Sequence, residues 1–155
     1  MRFLTDITLG KLTKWLRILG HDTALYRGNS DQLLIRMAKQ EDRLVLTRKQ
    51  NLRIGKHNAK LLVVIHDKVE AQLKEVMEKL SLSFEPQHCF TRCIKCNEQL
   101  ALVSKEEVTG LIPDYVSEKY NDFRRCPSCK GIFWPGTHRD HMQTILKIRS
   151  HFHPL

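Results

Sequence analysis

Hydrophobic and polar positions in the first half of the chain follow two alternating periods. Short apolar runs, which predict strands, occupy residues 2 to 5 (RFLT), 22 to 27 (DTALYR), 43 to 47 (RLVLT) and 60 to 66 (KLLVVIH). The last of these is a continuous apolar run of the kind that a parallel sheet buries on both faces. Segments with helical spacing separate most of these runs.

Three helices are predicted from this spacing. In the first, Leu9, Leu12, Leu16 and Leu19 recur until Gly20 offers a stop. Asn29 and Ser30 can cap a second helix that runs to about Gln40, and residues 69 to 80 form the third. The order strand, helix, strand, helix, strand, strand, helix predicts an α/β fold with a mostly parallel three-layer sheet.

The pattern changes near residue 86, after which periodicity weakens and two C-x-x-C pairs appear. These pairs, CIKC and CPSC, can bring Cys93, Cys96, Cys126 and Cys129 around one tetrahedral Zn²⁺. Disulfides are the alternative, but a cytosolic setting keeps thiols reduced. We therefore predict an α/β domain over 1–86 and a zinc ribbon with a carboxy-terminal helix over 87–155. The predicted strands of the ribbon are LALV and GLI, and Cys89 is interpreted as a plain or buried thiol.

The amino-acid composition indicates the class of partner that the protein binds. The 155 residues are 41% hydrophobic and 28% charged, which is ordinary for a globular protein. Lys and Arg number 26 against 17 acids, a net charge of +9 that favours a polyanion as partner. No apolar run reaches the roughly 18 residues of a membrane span, and the amino terminus lacks a signal-peptide pattern. We expect a cytoplasmic protein with no membrane partner.

Two carboxylates lie at the ends of predicted elements, in positions suited to binding a metal ion. Asp6 comes directly after the first strand, and Asp31 opens the second helix. Both can face the carboxyl edge of the sheet, where acids from separate elements converge on a hard cation such as Mg²⁺ or Mn²⁺. Asp31 can instead be a first-turn residue favoured by the helix dipole. Burial of the Asp6 carboxylate costs free energy unless the group is paired or has a functional role.

Several segments together resemble the Mut-seven carboxy-terminal ribonuclease family: FLTDITLGKLTKWLRILGHDT, SDQLLIRMA, RLVLTRK, RCIKCN and CPSCKGIFWPGTH. The resemblance covers essentially the whole chain and implies a PIN-like nuclease fold followed by a zinc ribbon. It implies that Asp6 and Asp31 are catalytic acids. Thr47 and Arg48 match the family's T-R-D signature, in which Lys49 replaces the third residue, normally Asp.

Because of Lys49, more than one hypothesis about the function stays open. An ammonium in place of a carboxylate opposes the binding of a dication, and it can pair with Asp6 or Asp31. One hypothesis is a divalent-metal ribonuclease with a compromised acidic site, using Asp6, Asp31 and Thr47. The alternative is a noncatalytic RNA or ribonucleoprotein binder, and a less favoured one is a ribbon adaptor for a protein. Asp42 or Asp67 can also supply the missing acid.

The cations that we predict to bind RNA fall in two segments. The first helix places Lys11, Lys14 and Arg17 at spacings of three, and residues 48 to 60 hold five Lys or Arg and no acid. The second set is Arg48, Lys49, Arg53 and Lys56. Phosphate contacts from such residues are sequence-blind and salt-sensitive. A solvated basic surface is the alternative reading of both segments.

Overall fold

The structure, a computed structural model, describes residues 1–52 and 60–136. The first half contains four strands: β1 (Arg2–Asp6), β2 (Asp22–Tyr26), β3 (Leu44–Thr47) and β4 (Leu61–Val63). Its helices are α1 (Gly10–Ile18), α2 (Asp31–Gln40) and α3 (Val69–Lys79), and a 3-10 turn (Ile7–Leu9) links β1 to α1. The predicted order of strands and helices is confirmed. In the described part of the chain, no helix combines the length and the apolar character that a bilayer crossing needs.

The four strands form one parallel sheet in the order β2-β1-β3-β4. Successive residues of a strand point to opposite faces, so Phe3 and Leu4 enter different cores. Phe3 packs with Leu12 of α1 and Leu73 of α3 on one face. Leu4 packs with Leu34 of α2 on the other. Helices thus cover both faces, which confirms the three-layer α/β prediction.

The apolar run before α3 differs from its prediction. Only Leu61–Val63 pairs as a strand, and these three residues are half-buried. Val64 is buried in the core, but the side chain of the next residue, Ile65, is 65% exposed. The prediction that this run is buried on both faces is wrong because β4 lies at the edge of the sheet, where cover is incomplete.

The ribbon module is a three-stranded antiparallel sheet in the order β5-β6-β7. Its elements are β5 (Ala101–Val103), α4 (Lys105–Val108), α5 (Asp114–Lys119), β6 (Phe123–Arg125) and β7 (Ile132–Phe133). The LALV strand is confirmed over β5. The predicted GLI strand is wrong, because Gly110 has a φ of 78° in a turn between α4 and α5.

A buried arginine joins the ribbon to the parallel sheet. Arg17 donates from Nε to the Thr23 carbonyl at 2.8 Å, and from Nη1 to the carbonyls of Ile94 and Lys95, each at 2.9 Å. Asn97 adds a bond, since its Oδ1 accepts from the Thr23 amide at 2.9 Å. The first cysteine knuckle is therefore hydrogen-bonded to the edge strand β2.

Candidate functional site

Asp6 lies at the carboxyl end of β1 and is almost completely buried, with 3% of the residue exposed. One carboxylate oxygen, Oδ1, accepts from the Thr8 amide at 2.9 Å and from the Thr8 hydroxyl. The other, Oδ2, accepts from the hydroxyl of Thr47, which ends the adjacent strand β3. Because β1 and β3 pair in parallel, these two strand ends meet at one edge of the sheet. Neutral donors thus satisfy both oxygens of Asp6.

Lys49 lies beside both predicted catalytic acids. Its amide donates to the Thr47 hydroxyl oxygen at 3.0 Å, and its ammonium donates to Asp31 Oδ1 at 2.5 Å. The hydrogen bond to Asp31 raises the pKa of Lys49, and the negative charge of Asp6 adds to that effect. A raised pKa keeps the ammonium charged, which is the opposite of what a lysine general base requires.

The other candidate acids do not join this site. Asp67, just beyond β4, forms an ion pair with Arg48, and its side chain is 84% exposed. Asp42 precedes β3, so it lies at the opposite, amino edge of the sheet, where Lys60 is 4.0 Å away. Neither carboxylate takes the place of the Asp that Lys49 replaces.

At this edge, the described part of the chain does not bring three carboxylate or imidazole ligand atoms together. Across residues 1–52 and 60–136, the only group of three or more His, Cys, Asp or Glu ligand atoms that converge is made of cysteines. Asp6 is engaged by hydroxyl and amide donors, and Asp31 is engaged by an ammonium. Mg²⁺ commonly binds through one or two carboxylates together with phosphate oxygens of the substrate, and here both candidate carboxylates are already engaged by donors of the protein.

Glu75 of α3 fixes the loop that carries Asp67. Its buried carboxylate accepts from the Ile65 amide at 3.0 Å, from His66 Nδ1 at 2.7 Å and from Lys79 Nζ at 2.7 Å. Burial alone would raise the pKa of Glu75, but these donors bring it down to about 2. Sequence reasoning missed this residue. The sequence offered no signal for it, because Glu75 is adjacent to Val76 and neighbouring helical residues do not share a face.

A cleft of about 710 Å³ is lined in part by residues of the 3-10 turn that follows Asp6, of α1 and of the start of α3. Its cationic lining residues are Lys11, Lys14, Arg27, Arg48 and Lys68. Thr8, which donates to Asp6, also lines this cleft. Arg27 and Lys68 were not predicted from the sequence. Their positions just beyond β2 and beyond β4 were the signal, because such positions face the carboxyl edge of a parallel sheet.

The predicted RNA-binding residues are placed differently from one another. Lys11 and Lys14 are exposed and line the cleft. Arg17 is 6% exposed, so it does not share their surface. Arg17 therefore does not present its guanidinium to RNA as predicted, because the group is turned inward to the carbonyls of the knuckle and β2. Arg53 and Lys56 lie outside the described residues.

The four predicted zinc ligands come together. The sulfur atoms of Cys93, Cys96, Cys126 and Cys129 all lie within 4.8 Å of one another. The Cys93 and Cys129 sulfurs are 3.7 Å apart, close to the separation of ~3.8 Å that a tetrahedron with Zn–S bonds of ~2.3 Å requires. Backbone amides of Cys96 and Cys129 point at the sulfurs of Cys93 and Cys126. The cluster could hold a metal ion such as zinc.

Cys89 is separate from this cluster. It is 5% exposed and packs in the core between α1 and α3, where burial raises its pKa to about 11. This confirms its interpretation as a buried thiol. A thiol with so high a pKa is a poor nucleophile at neutral pH.

The Mut7-C RNAse domain model matches residues 1–146, which include both the parallel sheet and the ribbon. The chain belongs to the Mut7-C RNAse domain family. No curated protein and no solved structure matches the chain. Membership in the Mut7-C family indicates a ribonuclease-like function, and the roles of individual residues in this Mut7-C RNAse domain rest on the geometry described above.

Proposed function

We propose that the protein is an RNA-binding domain of the ribonuclease type whose acidic site is closed by Lys49. The observation that carries this proposal is the pairing of the Lys49 ammonium with Asp31, within electrostatic reach of Asp6. Of the two carboxylates that the family resemblance makes catalytic, Asp31 is thus bonded to a cation of the protein itself, and the charge of Asp6 acts on the same cation. The protein as it stands is then a weak nuclease at best.

The same edge is suited to hold a phosphate. Thr47, Arg48 and Lys49 follow one another where β3 ends, and they provide a hydroxyl, a guanidinium and an ammonium. Arg48 and Lys49 are each engaged by one carboxylate, but both pairs are well exposed. Exposed ion pairs are worth little, so a phosphate of RNA can exchange for Asp67 or Asp31 at small cost.

A divalent-metal ribonuclease is the second candidate. It is favoured by the presence of Asp6 and Asp31 at one site, together with the Thr47 hydroxyl that contacts Asp6. The opposing observation is that these oxygens are already engaged by donors of the protein. The two candidates differ in what a change at Lys49 should do.

The test is cleavage of a generic single-stranded RNA by the unmodified protein, by Lys49→Asp, and by Lys49→Asp combined with Asp6→Asn. Each protein is assayed with Mg²⁺, with Mn²⁺ and with a chelator. We expect slow or undetectable cleavage by the unmodified protein, and a gain in Lys49→Asp that depends on the metal. Adding Asp6→Asn should abolish that gain, because it removes one of the carboxylate charges.

Rapid cleavage by the unmodified protein with Mg²⁺, left unchanged by Lys49→Asp, would sink the closed-site proposal in favour of the second candidate. Binding of the RNA is measured in parallel by fluorescence anisotropy in chelator. A protein that neither binds nor cuts RNA in any of these forms would contradict both candidates.

We further propose that the cysteine cluster holds one structural Zn²⁺. Support comes from the convergence of its four sulfurs and from the small apolar core of the ribbon, whose buried members are Val108, Ile112, Val116 and Phe123. So few buried side chains supply little folding energy, and a structural metal commonly supplies the rest.

A further inference from the structure

The cleft lined by Thr8, Lys11 and Arg48 carries a concentration of positive charge. It is lined by five Lys or Arg side chains against two carboxylates, Asp67 and Glu70. Among the described residues, only Arg48 of the five cations has an ion-pair partner, which is Asp67. Lys11, Lys14, Arg27 and Lys68 face the cleft or its rim without one. Such a concave cationic surface attracts polyanions and concentrates their phosphates.

The shape and lining of the cleft suit one flexible strand. Its volume of about 710 Å³ is that of a small-ligand site, too small for the long faces by which duplex RNA is recognised. Ile7, Leu25 and Val69 provide apolar surface between the cations. No aromatic side chain is among the described residues that line it, so stacking on aromatic rings contributes nothing there. Recognition of the backbone is therefore sequence-tolerant.

The position of the cleft connects it to the acidic site. Thr8 lines the cleft and also donates to the Asp6 carboxylate. Arg48, another lining residue, directly follows Thr47, whose hydroxyl donates to Asp6. The cleft is thereby linked to Asp6 through Thr8 and the Thr47–Arg48 segment, while Asp6 itself is buried behind them.

We propose that this cleft is the groove for the phosphodiester backbone of single-stranded RNA, with Arg27 and Lys68 as contacts in addition to Lys11, Lys14 and Arg48. This inference rests on the RNA-binding function proposed above and names the surface that performs it. Asp67 acts against binding, because it engages Arg48 in the free protein and a phosphate must displace it.

The test compares equal changes of charge inside and outside the cleft. Arg27→Gln and Lys68→Gln, singly and together, are set against Lys39→Gln and Lys74→Gln, which alter exposed lysines of α2 and α3 outside the cleft. Affinity for a single-stranded RNA of mixed sequence is measured by anisotropy in chelator at several salt concentrations. Thermal unfolding shows that each variant is folded.

We expect each cleft variant to weaken binding by roughly fivefold and to reduce the salt slope by about 0.7, the value for one lost phosphate contact to a single strand. The control variants should change both quantities much less. Asp67→Asn should tighten binding by freeing Arg48, whereas Glu118→Gln, an exposed acid of α5, should have little effect.

Equal weakening by cleft and control variants would overturn the groove while leaving RNA binding by the protein intact. A duplex of the same length that binds as tightly, and is weakened equally by the cleft variants, would show a general polyanion surface and overturn the single-strand assignment. Complete absence of RNA binding by the unmodified protein would overturn both this inference and the proposed function.

Discussion

The chain contains two groups of potential metal ligands, and their surroundings differ. In the ribbon, four cysteine sulfurs converge on one another within 4.8 Å. At the carboxyl edge of the parallel sheet, Asp6 accepts from Thr8 and Thr47, and Asp31 accepts from Lys49. One group turns its ligand atoms toward a shared centre, whereas the other turns them toward donors of the protein.

The difference follows from how each group is built. Each C-x-x-C knuckle is a tight local turn that delivers two sulfurs at once, so two knuckles complete a four-ligand site. The carboxylates come singly from β1 and α2, so each supplies only part of the negative charge that attracts a dication. A single replacement by lysine therefore changes the charge balance of the whole acidic site. Substitutions in the two groups of ligands should accordingly differ in their effects.

Replacing a zinc ligand should have the largest effect. Cys96→Ser should lose the bound zinc and unfold the ribbon, because apparent zinc affinities of roughly 10–16 kcal/mol act as folding energy in such modules. Elemental analysis and hydrogen exchange over residues 101–136 measure the two effects. Cys89→Ala is the control, since Cys89 lies in a different core, and it should keep the zinc. Full zinc content in Cys96→Ser would contradict the assignment.

Removing the guanidinium that links the two regions should come next. Arg17→Met leaves the carbonyls of Thr23, Ile94 and Lys95 without their buried donor. We expect a loss of roughly 3–5 kcal/mol in the free energy of unfolding. Chemical denaturation measures it, and the ribbon should then unfold before the α/β module.

Lys14→Met provides the matched control, because Lys14 is exposed on the same helix, α1. Its effect should stay within about 0.5 kcal/mol. Similar losses for the two variants would mean that the link through Arg17 does not stabilise the packing of the ribbon on β2.

Glu75 should make stability depend on pH. Its folded-state pKa of about 2 lies below the ordinary value of 4.5, so its contribution is present above pH 4.5 and disappears as pH falls toward 2. Glu75→Gln should cost about 2–3 kcal/mol at neutral pH and less in acid. Denaturation at a series of pH values measures this. Glu78→Gln, an exposed acid of the same helix, should leave the profile unchanged, and a loss independent of pH would contradict the carboxylate's role.

The Lys49 pair should have the smallest effect on stability. Lys49→Ala should change the free energy of unfolding by less than about 0.5 kcal/mol, because the ion pair with Asp31 is exposed on both sides. Lys49→Asp should differ from it by gaining a thermal shift with Mn²⁺. Equal Mn²⁺ responses in the two variants would mean that a carboxylate at this position does not open the site.

Local signals explain which parts of the fold were predictable. Ser30 caps α2, as its position before the amphipathic segment indicated, and accepts from the Leu33 amide at 3.3 Å. The C-x-x-C spacings identified the cysteine cluster, since two ligands three residues apart share one turn. The GLI strand was mispredicted because its apolar residue Ile112 packs in the ribbon core from a turn, where burial does not require a strand.

The sequence by itself determined the order of strands and helices, the cysteine cluster and the unusual cation after β3. Periodicity and short spacings are local, so they survive without knowledge of the packing. Only the tertiary structure decided that Lys49 pairs with Asp31, that Arg17 is buried against the knuckle, and that Arg27 and Lys68 meet in one cleft. Long charged side chains reach partners on elements distant in sequence, and chain folding alone selects those partners.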